Sequence, residues 1–193
     1  AREHSKYYAR HLQNITRQVN TLNELPVIDP QHYWANSDNV EHWPVLTSAV
    51  GHALVFKTGG TTSAGKLSVF TREEWQTLVR DFGSHLAGQL NPGDRVANLF
   101  FVGDLYASFI FIHDALAHEP AGVTEYPFTG DVDPGVLADS IRQHRINVLA
   151  GVPAQLLTFA GVLERQARTL GEVETILYGG ESLFTGQLQA LHH

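Results

Sequence analysis

The 193 residues include no cysteine, which excludes a disulfide framework, thiol catalysis and cysteine-based zinc sites while leaving the redox compartment open. Methionine is absent too, even at the first position, so truncation stays open and spacings are read within the given stretch. Charge is scarce: Asp, Glu, Lys and Arg make up 17 % of the chain, below the roughly 25 % usual for soluble domains. Even so, no apolar run approaches the ~18 residues that a membrane span requires, so no membrane partner is expected. Hydrophobic residues at 43 % exclude a disordered or collagenous chain. Basic residues are the minority, 13 against 20 acidic, for a formal charge of -7. That balance gives no footprint for a phosphate backbone, so nucleic acid is not an expected partner. Between Ala1 and Tyr8 there is no apolar core of a secretory signal, and the cytoplasm is the expected compartment. Repeats and low-complexity segments are lacking.

Tyr8, Leu12, Ile15, Val19 and Leu22 recur at steps of four, three, four and three, which predicts one helix with an apolar stripe. Leu25-Pro26-Val27-Ile28 breaks it. Asp29-Pro30 offers an N-cap with proline at the first helical position, so a short helix through Tyr33 and Trp34 follows. The polar stretch Ala35 to Trp43 reads as a surface connection. A boundary placed there separates an N-terminal helical segment, 1–45, from an α/β domain, 46–193. The length suits one compact domain and is marginal for two.

Beyond Val50, Ala53 to Phe56 and Leu67 to Phe70 are strand candidates flanking a loop. Thr71 and Glu74 form a capping box, and Trp75, Leu78, Val79, Phe82, Leu86 and Leu90 share one face of the helix it opens. The turn Asn91-Pro92-Gly93-Asp94 stops that helix. Strand and helix patterns then alternate: Val96–Phe101, a helix over Tyr106–Leu116, Gly122–Tyr126, a helix over Pro134–His144, Asn147–Val152, a helix over Ala154–Ala167, and Val173–Tyr178. Such alternation predicts an α/β fold, a mainly parallel sheet with helices on both faces, with ligands outside the carboxyl ends of its strands.

Residues 57–66, Lys57-Thr58-Gly59-Gly60-Thr61-Thr62-Ser63-Ala64-Gly65-Lys66, concentrate glycine, hydroxyls and lysine beyond the needs of a hairpin. Glycine lets backbone N–H groups approach phosphate oxygens, Thr and Ser add short donors, and lysine brings a mobile positive charge. A flexible surface loop is the plain alternative. Gly60 to Lys66 also satisfies G-x-x-x-x-G-K. However, Leu67 stands where a Walker loop needs Ser or Thr, and a strand pattern stands where that loop should open a helix.

The same nine residues, Thr58 to Lys66, resemble the phosphate loop of the adenylate-forming superfamily, commonly written T-S-G-T-T-G-x-P-K, with Ser63 for a usual glycine and Gly65 for the usual proline. Leu25 to Asp29 looks like the opening of the phenylacetate-CoA ligase branch. Pro92-Gly93-Asp94-Arg95-Val96 is similar to the G-D-R-V motif of that superfamily. Val152-Pro153-Ala154 and Tyr178-Gly179-Gly180-Glu181-Ser182 resemble its pocket-lining strand end and its G-G-E-P corner. The order agrees across about 25 to 182, and only the first loop is individually specific.

The resemblance implies the N-terminal part of an adenylate-forming ligase. Such an enzyme activates a carboxylic acid with ATP and Mg2+ as an acyl adenylate and passes it to CoA, a carrier protein or an amine. It further implies that Thr58, Gly59, Gly60, Thr61, Thr62, Ser63 and Lys66 hold phosphates and that Gly179, Gly180 and Glu181 seat the adenine. Phe101, Tyr106 and Tyr178, with Phe109, lie at strand ends or on the following helix, where an aromatic acid could be enclosed. Plain core is the competing reading of those rings. Aromatic catabolism and antibiotic assembly, phenazine carboxylates included, are contexts the family offers. Its Y-G-x-T/S-E motif, ribose-binding aspartate and catalytic lysine map to no position here, so catalytic residues and metal ligands stay unassigned. Two other readings remain: a P-loop ATPase or kinase, and a family member that binds nucleotide or acyl ligand without turnover. His113 and His118, five apart, do not make a helix-borne metal pair. The three tryptophans read as packing anchors, Glu73 and Glu74 as support for a helix N-terminus, and no G-x-S-x-G corner supports a hydrolase triad.

Overall fold

The computed structural model describes residues 1–16, 18–57, 66–129 and 131–191. The chain divides into two compact units, Ala1–Trp75 and Gln76–His193.

In the first unit, helix α1 spans only Lys6–His11, so the helix expected to run through Leu22 closes early. Asn14, Thr16, Asn20 and Thr21 explain this, since their short polar side chains compete for backbone bonds. Leu22, 84 % exposed, also finds no surface to hold the stripe helical. Instead the Thr21 N–H and hydroxyl both donate to Glu24 Oε1, at 3.2 and 3.1 Å, and a 3₁₀ turn forms over Leu22–Glu24. Helix α2, Pro30–Tyr33, starts as expected: Asp29 accepts from the Gln31 N–H at 2.9 Å and proline occupies the first position. Trp43 is buried, donates its indole N–H to the Tyr33 carbonyl at 2.8 Å and stacks on Trp34.

Strands β1, Ala53–Lys57, and β2, Leu67–Thr71, pair antiparallel with Ala53 opposite Thr71 and Lys57 opposite Leu67. Phe56, Phe70 and Trp75 pack their rings together. Helix α3, Arg72–His85, opens on the expected capping box: Thr71 Oγ1 accepts from the Glu74 N–H at 3.1 Å and Glu74 Oε2 from the Thr71 N–H at 2.8 Å. It ends before Leu90, contrary to the spacing, because the chain reverses through Gly88 at φ +79°. Leu86 and Leu90 are nonetheless buried.

The second unit holds β3 (Arg95–Asn98), α4 (Ser108–Leu116), β4 (Thr124–Pro127), α5 (Pro134–His144), β5 (Val148–Gly151), α6 (Pro153–Arg165), β6 (Thr175–Tyr178) and α7 (Thr185–Leu191). The four strands form one parallel sheet in the order β4-β3-β5-β6. Right-handed crossovers then dictate where the helices go. The step from β3 to β4 runs one way along the sheet, so α4 covers one face. Those from β4 to β5 and from β5 to β6 run the other way, so α5 and α6 cover the opposite face. Alternate strand residues feed two cores accordingly. Val96, Val148 and Ala150 pack with Phe100 and Leu116, whereas Ala97 and Leu149 pack with Leu137, Ile141, Leu156 and Phe159. Among the described residues, no helix is long and apolar enough to cross a membrane.

Candidate functional site

Because α4 leaves β3 toward one face and α6 leaves β5, its neighbour, toward the other, a crevice opens at their carboxyl ends, the position where open α/β sheets take ligands. The chain leaving β3 is fixed to β5 by the Leu99 N–H donating to the Ala150 carbonyl at 2.7 Å. Phe100 is buried, whereas Phe101 is 39 % exposed. The Phe101 carbonyl accepts from the Phe109 N–H at 3.1 Å and the Ser108 hydroxyl at 3.0 Å, tying it to the start of α4. Between them Asp104 and Leu105 both hold positive φ, 44° and 64°, a strained backbone of the kind that concentrates at functional loops. This turn sets the Tyr106 ring edge-on to Phe101 at 5.5 Å.

From the β6 end come Tyr178, 49 % exposed, and the corner Gly179-Gly180-Glu181. A Cβ on Gly179 would lie 3.9 Å from Phe100 Cζ, and one on Gly180, where φ is +84°, 3.6 Å from Val152 Cγ1. The absence of side chains at the two glycines therefore lets the corner lie in ordinary contact with the Phe100 and Val152 side chains. Glu181 Oε2 accepts from the Ala154 N–H at 3.3 Å, capping the first turn of α6 and fixing the corner to the β5 end. Of the residues picked from the sequence, Gly179, Gly180 and Glu181 thus meet the Val152-Pro153-Ala154 strand end. Phe101 and Tyr106 form a pair of their own. The ring next to Gly179 is Phe100, which the spacing of aromatics did not single out.

Beneath the crevice lies a polar network that sequence reasoning missed. Asn98, fully buried at the end of β3, donates from Nδ2 to Glu125 Oε1 at 2.7 Å and to the Phe109 carbonyl at 3.3 Å. Its Oδ1 accepts from the Phe100 N–H at 3.2 Å. Glu125 Oε2 lies 2.7 Å from His113 Nδ1. Only the pairing of β3 with β4 brings Asn98 and Glu125 together, so no sequence signal could have found the chain. A buried, satisfied network of this type holds its members in one arrangement, here the exit of β3 and the start of α4.

Thr58, Gly59, Gly60, Thr61, Thr62 and Ser63 lie outside the described residues. Lys66 is described, and its ammonium sits 5.2 Å from the centroid of the Trp34 ring, a cation–π distance. The strand at Leu67–Thr71 occupies the position where a Walker loop would open a helix. Among the described residues, no group of three or more His, Asp or Glu forms a metal cage.

Strand order and crossovers together define a doubly wound α/β unit. Comparison with solved structures makes the class more particular. The chain aligns over its whole length with 2-hydroxyisobutyryl-CoA ligase in an open conformation in complex with 2-HIB-AMP and CoA, at TM-score 0.78 and 15 % identity, covering 48 % of that chain. It aligns over 78 % with the inhibitor-bound N-terminal domain of FACL13 from Mycobacterium tuberculosis (TM-score 0.52, 16 % identity, 36 % of that chain). Over 72 % it aligns with the long-chain-fatty-acid-CoA ligase FadD1 from Archaeoglobus fulgidus (TM-score 0.54, 17 % identity, 27 % of that chain). The chain thus has the fold of the N-terminal part of the adenylate-forming ligases and spans about half the length, or less, of the ligases it matches. No family model matches it, and no curated protein matches it by sequence.

Proposed function

We propose that the chain is the nucleotide- and acid-binding part of an AMP-forming ligase that activates a small carboxylic acid as an acyl adenylate for transfer to a thiol or amine. The observation that carries this is the glycine corner at 179–181, seated against Phe100 and Val152 at the switch point of the sheet. The fold shared with a ligase bound to an acyl-AMP and CoA supports it. In this reading Gly179 and Gly180 admit the adenine to bare backbone, and Glu181 keeps that corner in place by capping α6. Thr58 to Ser63 supply short donors to phosphate oxygens, and Lys66 adds a positive charge to them. Phe101, Tyr106 and Tyr178 form the wall for the acid, whose aromatic character their rings favour.

Acid attack on the α-phosphorus forms a carboxylate–phosphate bond and expels pyrophosphate, a reaction promoted chiefly by positioning and charge neutralisation. Carboxylate-dependent exchange of radiolabelled pyrophosphate into ATP by the full-length protein tests the reading. Exchange should need the acid and fall by about 100-fold or more in Lys66→Ala or Thr61→Ala, the range for removing one preorganised charge-stabilising donor. Phosphate release without any acid would favour a P-loop ATPase instead, and nucleotide binding without exchange would favour a non-catalytic binder.

A further inference from the structure

Residues 1–75 carry seven Lys and Arg against seven Asp and Glu, and residues 76–193 carry six against thirteen. The whole net negative charge thus resides in the second unit. Within the first, α1, the segment leading to α2 and the turn at 42–44 enclose a cleft of about 600 Å3. Lys6, Arg10, His11, His32 and His42 line it, and Asp29 is its single acid. Asp29 is already engaged: Oδ1 accepts from the Gln31 N–H at 2.9 Å, and Oδ2 lies 2.9 Å from His32 Nδ1. Among the described residues, no carboxylate pairs with Lys6 or Arg10.

Lys6 and Arg10 stand one turn apart on α1, so they share a face. Lys6 is the first residue of that helix, where the macrodipole disfavours a cation; helix stability does not account for it. Nor is the arrangement loose. The Pro44 carbonyl accepts from the Ser5 hydroxyl at 2.9 Å and the Tyr7 N–H at 3.0 Å, clamping α1 to one wall of the cleft. The His11 Nε2–H donates to the Pro26 carbonyl at 3.1 Å, fixing the opposite wall, where Val27 stands 92 % exposed. Two permanent cations, flanking histidines and an uncovered apolar side chain meet in one preorganised cleft.

We propose that this cleft binds a phosphate monoester with a small apolar body, Arg10 and Lys6 taking the dianion and Val27 with Pro44 covering the apolar part. Two permanent charges match a dianion, and a guanidinium holds two phosphate oxygens in parallel. None of these residues belongs to the acid-activating reading above, so the two stand or fall separately.

The probe is phenyl phosphate, titrated calorimetrically into full-length Lys66→Ala protein, a background that removes the lysine of the proposed nucleotide loop. Saturable one-to-one binding is expected, weakened about tenfold or more when Lys6→Ala and Arg10→Ala are added, as loss of charge-assisted bonds dictates. Phenol should not bind, and inorganic phosphate should bind more weakly than the ester. Circular dichroism should be unchanged by the two exposed substitutions, and so should carboxylate-dependent exchange in a Lys66 background. Absence of saturable binding, or binding that the double variant leaves unaltered, overturns the proposal. Inorganic phosphate binding as tightly as the ester overturns its apolar half. Loss of exchange in the double variant overturns the cleft as a separate site, whereas an absence of exchange in every protein refutes the ligase reading and leaves the cleft standing.

Discussion

Replacing Asn98 by alanine perturbs the crevice without removing any residue proposed to touch a ligand. The side chain is fully buried and makes three hydrogen bonds, two donated to Glu125 and the Phe109 carbonyl and one accepted from the Phe100 N–H. Its loss removes a bond to a carboxylate, worth about 1.5–3 kcal/mol, and leaves the Phe100 N–H without its acceptor at about 1–3 kcal/mol more. Because all three bonds share one side chain they do not add fully, and a net loss of about 3 kcal/mol is expected. Urea denaturation followed by far-UV circular dichroism reads this as a midpoint lowered by about 1–3 M at ordinary slopes. Exchange measured well below the variant's transition should also weaken, since the network fixes the exit of β3 on which Phe100 and Phe101 stand. A loss under about 1 kcal/mol, the size of one ordinary hydrogen bond, would refute the reasoning, for it would mean that Glu125 and Phe100 re-pair without cost.

Two glycines in helices should respond in opposite directions. A Cβ on Gly83 would lie 2.2 Å from the Ala115 carbonyl oxygen, which cannot step aside as a side chain can, so Gly83→Ala should destabilise by about 2 kcal/mol after the ~1 kcal/mol gain in helix propensity is subtracted. A Cβ on Gly161 meets nothing nearer than Arg165 Nη1 at 3.5 Å, and Gly161→Ala should stabilise by up to about 1 kcal/mol, both changes being read by the same urea denaturation. Alkaline pH should weaken the first unit. Burial, and after it the neighbouring Tyr8, raises the Tyr7 and Tyr33 phenols above their ordinary value near 10. Their protons are therefore held in the folded chain after the unfolded chain has lost them. Stability is full below about pH 10 and falls as pH rises from there through the folded values. Tyr33→Phe should flatten that fall when stability is measured by denaturation across pH 9 to 11.5, and an unaltered slope would count against it.

Short-range chemistry was legible in the sequence. The Thr71–Glu74 box, the Asp29-Pro30 start of α2 and the Pro134–His144 helix rest on bonds or periodicities spanning two to four residues, and the structure bears them out. The same holds for the alternation that implies a parallel sheet, because strand and helix periods are properties of neighbouring residues. The first helix was misjudged in length because spacing says nothing of whether a partner surface is there: its stripe ends on exposed Leu22.

What tertiary structure alone decided is which distant residues share a place. The strand order puts α4 and α6 on opposite faces and so creates the crevice. It brings Gly179 to Phe100 rather than Phe101, and Asn98 to a carboxylate 27 residues away. Local propensities cost little to satisfy and leave their mark residue by residue. Long-range pairings are selected only when the whole chain closes and its two cores fill, so their partners carry no sign of each other until then.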